Sequence, residues 1–326
     1  MKHVLSRVFA LALCATVVSA LPAFAAEGKT AISEAPEYLT PVRVWGTVTW
    51  QENGAILLRN SNENDPYHEV ILHLTETIPV VDAVTGLPLD RELRDGETVY
   101  AWIGPAVTMS LPPHAAAEAV VANIPGDFGA PQYYEIARVE RSYTTPTSSD
   151  FKPHLCEVAV TATDGQKLIV GDHAALFPYL TRQIVTLDSL IPGSRILVWS
   201  DCSGSVSKVM VFAYDYRGYI SWEATGEVSV NSEKLKTAGK AVNGEALLPI
   251  RAVAEAAGYE VNWIPGQGAV VSQPGGGLVF SVLPGQDTAT AADGETELTG
   301  TCYLENGTTY LPADDLAYLL NLFISR

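Results

Sequence analysis

Basic residues are scarce in this chain. Its 326 residues include 20 Lys and Arg against 37 Asp and Glu, which gives a formal net charge of −17 at pH 7. Nucleic acids and anionic lipid surfaces are bound through clusters of Lys and Arg. The composition therefore argues against binding to nucleic acid or to an anionic membrane, and it is typical of an acidic, soluble protein.

Long apolar runs are missing outside the N-terminus. There, Lys2 and Arg7 accompany an apolar stretch at residues 8–21, and Ala23-Phe24-Ala25 follows as a small-x-small cleavage site. This three-part pattern predicts a secretory signal peptide, residues 1–25, that is cleaved after Ala25. The stretch is too short for a membrane span. We therefore expect a secreted, extracellular protein with no membrane span after cleavage.

Cysteine is rare, with four residues in the chain, of which Cys14 lies in the predicted signal peptide. The odd number that remains is not a disulfide framework. Cys156 and Cys202 fall in the same predicted module, where one bridge and two isolated thiols fit the sequence equally well. Together with Cys302 they do not have the spacing of a zinc site.

Recognisable catalytic constellations are missing as well. The string from Ser205 to Lys208 matches Ser-x-x-Lys, but the companion motifs of penicillin-interactive enzymes do not accompany it. His68 and His73 are five residues apart on a predicted strand, so they face opposite sides and cannot share a metal. The acidic segment 62–66 lacks the spacing of an EF-hand loop, and a solvated loop is favoured over a calcium site. We expect no catalytic, cofactor-binding or metal-ligating residues and no cofactor.

What the chain does contain is a series of short alternating strands bounded by turn residues. They group into a block at 39–141, a Thr-, Ser- and Pro-rich linker at 144–149, and a second block at 154–220. In the first block Leu93 and Gly96 precede Trp102, and in the second Leu190 and Gly193 precede Trp199 at the same spacing. This pattern predicts two related small β-barrels of OB-like type, and generic β-meanders are the alternative.

The last third of the chain, residues 224–326, contains a repeated phrase. Asn243-Gly244 is followed by Leu248-Pro249 and an amphipathic stretch, and Asn306-Gly307 is followed by Leu311-Pro312 and a second such stretch. Asn-Gly supplies the two positive-φ residues of a hairpin turn, and proline suits the first turn of a helix. Each copy therefore predicts a hairpin turn, a strand and a helix, with both helices packed on one shared core.

This region resembles the copper amine oxidase-like N-terminal domain of bacterial secreted and cell-surface proteins. The resemblance rests on Val228–Asn231, the first copy from Asn243 to Gly258, Val261–Trp263 and the second copy from Asn306 to Pro312. It implies an α+β module of antiparallel sheet packed on helices. In amine oxidases this domain is a stalk remote from the copper, so the resemblance implies neither copper nor oxidase activity. We also expect the second helix to pack without a following strand.

Aromatic side chains that stack on sugar rings are the remaining candidate. Those considered are Trp45, Trp50, Trp102, Trp199, Trp222, Trp263, Tyr133 and Tyr134. Core packing explains any one of them better, and Trp50, which lies just before a hairpin turn, is the best candidate for an exposed position. The sequence thus favours a non-catalytic binding or scaffolding protein of the bacterial cell surface or envelope. A carbohydrate- or peptidoglycan-binding accessory protein and a hydrolase with an unrecognised active site are the alternatives. Cell-wall polysaccharide and another envelope protein are the partners considered.

Overall fold

The computed structural model describes residues 41–124, 126, 130–144, 153–180, 184–201, 203–223, 225–242, 244–292 and 294–325. The predicted signal peptide and its cleavage site lie outside these residues and stay predictions. The chain is mainly β, with 51% strand and 7% helix, and it divides into two compact units between Ala130 and Pro131. Within the described part of the chain, neither helix has the length and apolar character needed to cross a membrane.

Six strands form the first β module, which belongs to the first unit. They are β1 (Val42–Trp50), β2 (Ile56–Arg59), β3 (Glu69–His73), β4 (Val80–Asp82), β5 (Thr98–Val107) and β6 (His114–Ala122). Their order is β3-β2-β1-β5-β6-β4, and a parallel pairing of β3 with β6 closes five of them into a barrel. Alternate residues of β1, such as Val44 and Val48, fill its interior with Ile56 and Leu58. The predicted OB-like barrel is confirmed.

The second β module opens the second unit and repeats this topology. Its strands are β7 (Gln132–Tyr143), β8 (Leu155–Ala162), β9 (Lys167–Gly171), β10 (Ala175–Pro178), β11 (Arg195–Ser200) and β12 (Val206–Val211), with one 3-10 turn at Leu187–Ser189. The order β10-β12-β11-β7-β8-β9 matches that of the first module strand for strand. The parallel pair β10–β12 corresponds to β4–β6. The two modules therefore share one strand order, as predicted, although among the described residues of the second module no pairing of β9 with β12 corresponds to the closing pair β3–β6.

The repeated Leu-x-x-Gly phrase marks equivalent turns in the two modules. Leu93 and Leu190 are both buried, and Gly96 and Gly193 have φ values of 81° and 83°. Each turn leads into the strand that pairs with the first strand of its module, β5 with β1 and β11 with β7. The turn requires a residue in the left-handed backbone conformation, which explains the glycine in both copies.

The expected boundary between the two blocks is wrong. Strand β7 was expected to complete the block at 39–141, but it pairs with β8 from Ile136 to Tyr143 and also with β11. The backbone N–H of Thr144 donates to the carbonyl oxygen of His154 at 2.9 Å. The predicted linker 144–149, whose residues 145–149 lie outside the described part, thus connects two neighbouring strands of one sheet. The second module begins near residue 131 rather than 154. The sequence placed the boundary at the polar segment because a loop between paired strands and a linker between domains have the same polar composition.

In its described residues, the C-terminal module, Gly218 to Ser325, contains three small sheets and two helices. Its elements are β13 (Gly218–Trp222), β14 (Val228–Val230), β15 (Glu233–Lys234), β16 (Lys240–Val242), β17 (Glu245–Pro249), α1 (Ile250–Ala256), β18 (Glu260–Ile264), β19 (Gly268–Ser272), β20 (Leu278–Val282), β21 (Thr288–Ala291), β22 (Gly294–Glu297), β23 (Tyr303–Glu305), β24 (Thr308–Pro312), α2 (Ala313–Leu320) and β25 (Leu322–Ser325). The sheet orders are β15-β14-β13-β25, β16-β17-β24-β23 and β18 to β22 in sequence.

The sequence repeat is visible as two hairpins that each lead into a helix. Asn306 and Gly307 have φ values of 49° and 77°, as the hairpin turn requires, and Gly244 has a φ of 86°, while Asn243 lies outside the described residues. Strands β17 and β24 are antiparallel neighbours. Each proline occupies the N-cap position just before its helix, rather than the first helical turn. The predicted strand-proline-helix sequence is confirmed in both copies.

Both helices contribute to one core, as expected. Ile250 and Val253 of α1, and Leu316 and Leu320 of α2, are at most 1% exposed. They share a cluster with Val228, Val230, Ala269, Val271, Phe280 and Val282 from strands β14, β19 and β20. Ala257 and Leu319 lie at its margin and are only partly buried.

The expectation that α2 packs without a following strand is wrong. Helix α2 ends at Asn321, which takes the left-handed conformation with a φ of 52°, and β25 begins at the next residue. Strand β25 pairs in parallel with β13, Gly218 opposite Leu322 and Ser221 opposite Ser325. The short apolar segment after Asn321 finds its partner about a hundred residues earlier, a pairing that local sequence does not reveal.

Candidate functional site

A cleft of about 310 Å³ opens beside α1 in the C-terminal module. Its walls come from α1, from β18 and from the turn between β23 and β24. The repeat builds this cleft, since the first copy supplies the helix and the second supplies the turn at Gly307. We refer to it below as the α1 cleft.

Trp263 supplies an exposed aromatic face to the α1 cleft. It lies on β18, an edge strand of its sheet, opposite Ala269, and is 51% exposed. Val261, two residues earlier and on the same face of β18, is buried in the module core, whereas Trp263 lies beyond the edge of that core and is exposed to the cleft. An indole next to polar groups offers both a flat apolar surface and a hydrogen-bond donor.

Arg251 and Glu255 form the polar wall that faces Trp263. Arg251 Nη1 donates to Glu255 Oε1 at 3.0 Å and to the carbonyl oxygen of Val261 at 2.5 Å, which links α1 to β18. Both charged side chains are exposed, so the ion pair itself adds little stability. Its contribution to the cleft is a charged donor and a charged acceptor that line the same cleft as the aromatic ring.

Amide and hydroxyl groups complete the lining. Asn262 precedes Trp263 on β18, and Thr237, Thr308 and Thr309 approach from the remaining sides. The Asn306-Gly307 turn determines where β24 begins and therefore places the last two threonines. An aromatic face surrounded by hydroxyl, amide and guanidinium groups is the chemistry that recognises small polar ligands with apolar faces.

The other aromatic candidates do not form one platform. Trp50 is 38% exposed, and its indole Nε1 donates to the carbonyl oxygen of Leu93 at 2.8 Å, which ties the ring to the segment before Gly96. Trp102 and Tyr133 are buried, and Trp45, Trp199, Trp222 and Tyr134 are partly buried. Sequence reasoning singled out Trp50 and named Trp263 without preferring it. The edge position of β18, which exposes Trp263, follows only from the sheet order.

A smaller cationic cluster lies on the second β module. Lys208 Nζ is 4.6 Å from the centre of the Trp199 ring and 5.9 Å from that of Phe177. The two rings are themselves 6.0 Å apart and tilted. All three side chains are partly buried, so the cluster packs adjacent strands β10, β11 and β12 together.

The acidic segment 62–66 folds on itself. Asp65 accepts from the side-chain amide of Asn60 at 3.2 Å and from the backbone N–H of Tyr67 at 2.8 Å. Asn62 Oδ1 accepts from the backbone N–H of Asn64 at 3.3 Å. These oxygens accept the local hydrogen bonds that are typical of Asx turns.

Two histidines come together that the sequence did not connect. His73 Nε2 lies 2.8 Å from His114 Nδ1, and the rings stack at 5.1 Å. The parallel pairing of β3 with β6 brings them together, whereas His68 was the neighbour considered from sequence. Among the residues that the structure describes, no group of three or more His, Cys, Asp or Glu side chains could hold a metal ion.

The cysteines occupy different environments. The Cys156 thiol donates to the carbonyl oxygen of Ser142 at 3.3 Å. Cys202 lies outside the described residues, so its pairing with Cys156 stays a prediction. Cys302 is buried in the core of the C-terminal module, and burial raises the pKa of its thiol to about 12. Such a thiol is unreactive at neutral pH.

These elements define the C-terminal module as an α+β repeat of two hairpin–helix copies around a single core. Residues 228–325 match the family described as the copper amine oxidase N-terminal domain. The match covers the last third of the chain and confirms the resemblance read from the sequence. The matched range omits β13, which lies between β14 and β25 in their sheet. A comparison with curated proteins finds no match.

Proposed function

We propose that this chain is an exported, non-catalytic binding protein of a bacterial envelope. The observation that carries this proposal is the α1 cleft, which joins the exposed face of Trp263 to the fixed pair Arg251–Glu255. The two β modules are accessory to it in this proposal and contribute no reaction centre. The similarity of the C-terminal module to a stalk domain supports a role without catalysis.

Within that role, the cleft favours a carbohydrate of the cell wall over a protein partner. A sugar ring has an apolar face that stacks on an indole and hydroxyl groups that pair with carboxylate, amide and guanidinium groups. The cleft volume of about 310 Å³ is at the lower end of ligand sites and would accommodate a short oligosaccharide segment. Trp263 on one side of the cleft, and Arg251 and Glu255 on the other, would then contact opposite sides of the oligosaccharide.

The test is co-sedimentation of the chain, without residues 1–25, with purified insoluble cell wall. The variant Trp263→Ala should lower the affinity about tenfold or more, because a base stacked on an aromatic side chain contributes about 1–3 kcal/mol and we expect a stacked sugar face to contribute similarly. Trp263→Phe should keep a measurable part of it. Tyr318→Ala is the matched control, since Tyr318 is an equally exposed aromatic on α2 in the same module.

Two results would contradict the proposal. One is wild-type protein that stays in the supernatant at every cell-wall concentration. The other is equal binding by wild type and Trp263→Ala, with unchanged near-ultraviolet circular dichroism showing that the variant is folded. The second result would leave a binding protein but remove the cleft as its site.

A further inference from the structure

The loop between β5 and β6 carries two fully exposed apolar side chains. Met109 is 103% exposed and Leu111 is 96% exposed, the highest values among the large hydrophobic side chains described. They are two residues apart at the tip of the loop. Single exposed apolar residues are ordinary, but two protruding at one tip mark a surface that meets an apolar environment. We call residues 108–113 the apolar tip.

The apolar tip is held in shape by its own hydrogen bonds. The backbone N–H of Thr108 donates to the carbonyl oxygen of His114 at 3.0 Å, and the backbone N–H of His114 donates to Thr108 Oγ1 at 2.7 Å. Ser110 Oγ donates to the carbonyl oxygen of Pro112 at 2.9 Å. The tip therefore presents its side chains from a preformed loop, which lowers the entropy cost of binding.

Charge is absent from this part of the chain. From Thr98 to Ala117 the sequence contains no Asp, Glu, Lys or Arg, although such residues make up 17% of the chain. Inserting the tip into an apolar medium would therefore not strip water from an ion, which is the main cost of such insertion. Pro112 and Pro113 have no backbone N–H and reduce the number of polar groups that lose water.

We propose that the apolar tip inserts Met109 and Leu111 into the surface of a zwitterionic lipid bilayer and holds the protein there reversibly. A lipid surface is favoured over a pocket of a protein, because the tip has no Trp, Tyr or Arg, which dominate protein hot spots, and consists instead of residue types such as Leu, Ser and Thr that are under-represented there. Thr108 and Ser110, which flank Met109, are themselves exposed. This inference goes beyond the proposed function, whose ligand lies on the other unit.

The net charge of the protein determines whether the tip favours zwitterionic or anionic lipid. A formal net charge of −17 repels an anionic surface, and the tip has no Lys or Arg to offset that repulsion. Two inserted side chains provide an apolar contact no larger than that of a single acyl anchor, which gives marginal and reversible membrane binding. We therefore expect weak partitioning to phosphatidylcholine and weaker partitioning when anionic lipid is added.

The experiment is vesicle flotation with the chain lacking residues 1–25, using phosphatidylcholine vesicles at increasing lipid concentration. The double variant Met109→Ser, Leu111→Ser should lower the partition coefficient about tenfold or more. Leu87→Ser is the matched control, since Leu87 is 59% exposed on another loop of the same module and should not matter. Replacing one third of the lipid by phosphatidylglycerol should reduce binding, and added salt should restore it.

A second measurement needs no substitution. Peroxide converts an exposed methionine to its polar sulfoxide, and Met109 is exposed whereas Met210 is 1% exposed. Phosphatidylcholine vesicles should slow oxidation of Met109 but leave that of Met210 unchanged. Oxidised protein should then float less.

Three outcomes would overturn the proposal. They are the absence of flotation for wild type at any lipid concentration, equal flotation of the double variant, and stronger binding to anionic than to zwitterionic vesicles. Loss of self-association in the double variant, with vesicle binding unchanged, would assign the tip to a protein contact instead.

Discussion

Gly193 lies directly against the ring of Phe323. A Cβ atom at Gly193 would lie 2.8 Å from Cγ of Phe323, closer than side-chain atoms tolerate. Gly193 belongs to the second β module and Phe323 to β25, the last strand described. The contact joins these two parts of the second unit, and Tyr216, whose ring meets Phe323 edge-on at 5.4 Å, lies on the segment between them.

A methyl group at Gly193 should weaken this junction. Gly193→Ala carries two costs, because its φ of 83° is unfavourable for alanine and because the methyl group meets Phe323. We expect a loss of about 2–4 kcal/mol in the free energy of unfolding, from backbone strain together with overpacking. Urea unfolding followed by circular dichroism provides the measurement.

Gly165→Ala is the matched control for that variant. Gly165 is in the same module with a φ of 84°, and a Cβ there meets no atom within 4 Å. Gly165→Ala should lower the free energy of unfolding only through backbone strain, by about 1–2 kcal/mol. Equal losses for the two variants would show that the approach to Phe323 contributes nothing.

Leu320 tests the shared core of the two helices. It is fully buried in the cluster that also holds Val253 of α1. Leu320→Ala should destabilise the second unit by about 2–5 kcal/mol, whereas Tyr318→Ala, two residues earlier and exposed, should change stability by less than about 1 kcal/mol. Hydrogen exchange should also find α2 protected, since β25 follows it. Unprotected amides from Leu316 to Leu320 in an otherwise folded module would disprove the shared core.

Asp315 is a buried carboxylate with a defined partner. It lies in the first turn of α2, is 7% exposed, and accepts from the backbone N–H and hydroxyl of Thr299 at 2.9 and 3.0 Å. Burial raises its pKa above the ordinary value, although these hydrogen bonds oppose the shift. Asp315→Ala should cost about 1–3 kcal/mol, because Thr299 loses its acceptor.

The pH dependence of Asp315 follows from the direction of its pKa shift. A carboxyl group whose folded pKa lies above its unfolded pKa takes up its proton first in the folded state. The wild type should therefore gain stability relative to Asp315→Asn as the pH falls through the folded pKa towards the unfolded value near 3.8. Asparagine keeps an acceptor for Thr299. Urea titrations of both proteins between pH 7 and pH 4 measure the difference, and an opposite slope would contradict it.

The matched range of the C-terminal family should not fold alone. A fragment of residues 228–325 lacks β13, which pairs with both β14 and β25 and contributes the fully buried Ile220 to the core. A fragment of residues 131–325 retains it and should unfold cooperatively in urea. The shorter fragment should show no near-ultraviolet circular dichroism, and a native-like spectrum from it would contradict this role of β13.

Local features of this fold were readable from sequence, and distant pairings were not. The Asn306-Gly307 turn, the Leu-Pro helix starts and the matching turns at Gly96 and Gly193 all follow from short-range backbone chemistry. The OB-like topology followed from the repetition of those signals. The same reasoning assigned β7 to the wrong module, because alternation identifies a strand without naming its partner.

The candidate site depended on the same missing information. Trp263 and Trp50 look alike in sequence, each next to a turn. Their exposure depends on which strand lies at a sheet edge and which carbonyl group receives the indole N–H. The cleft itself requires the second copy of the repeat to pack on the helix of the first, which only the folded chain shows.

The parallel pairing of β13 with β25 has a mechanical consequence. Tension applied at Gly218 and at Ser325 would pull these neighbours in opposite directions along their length. Their four registered residue pairs would then be loaded together in shear, whereas the β16–β17 hairpin would open one pair at a time. The C-terminal module should therefore resist unfolding when tension is applied between Gly218 and Ser325.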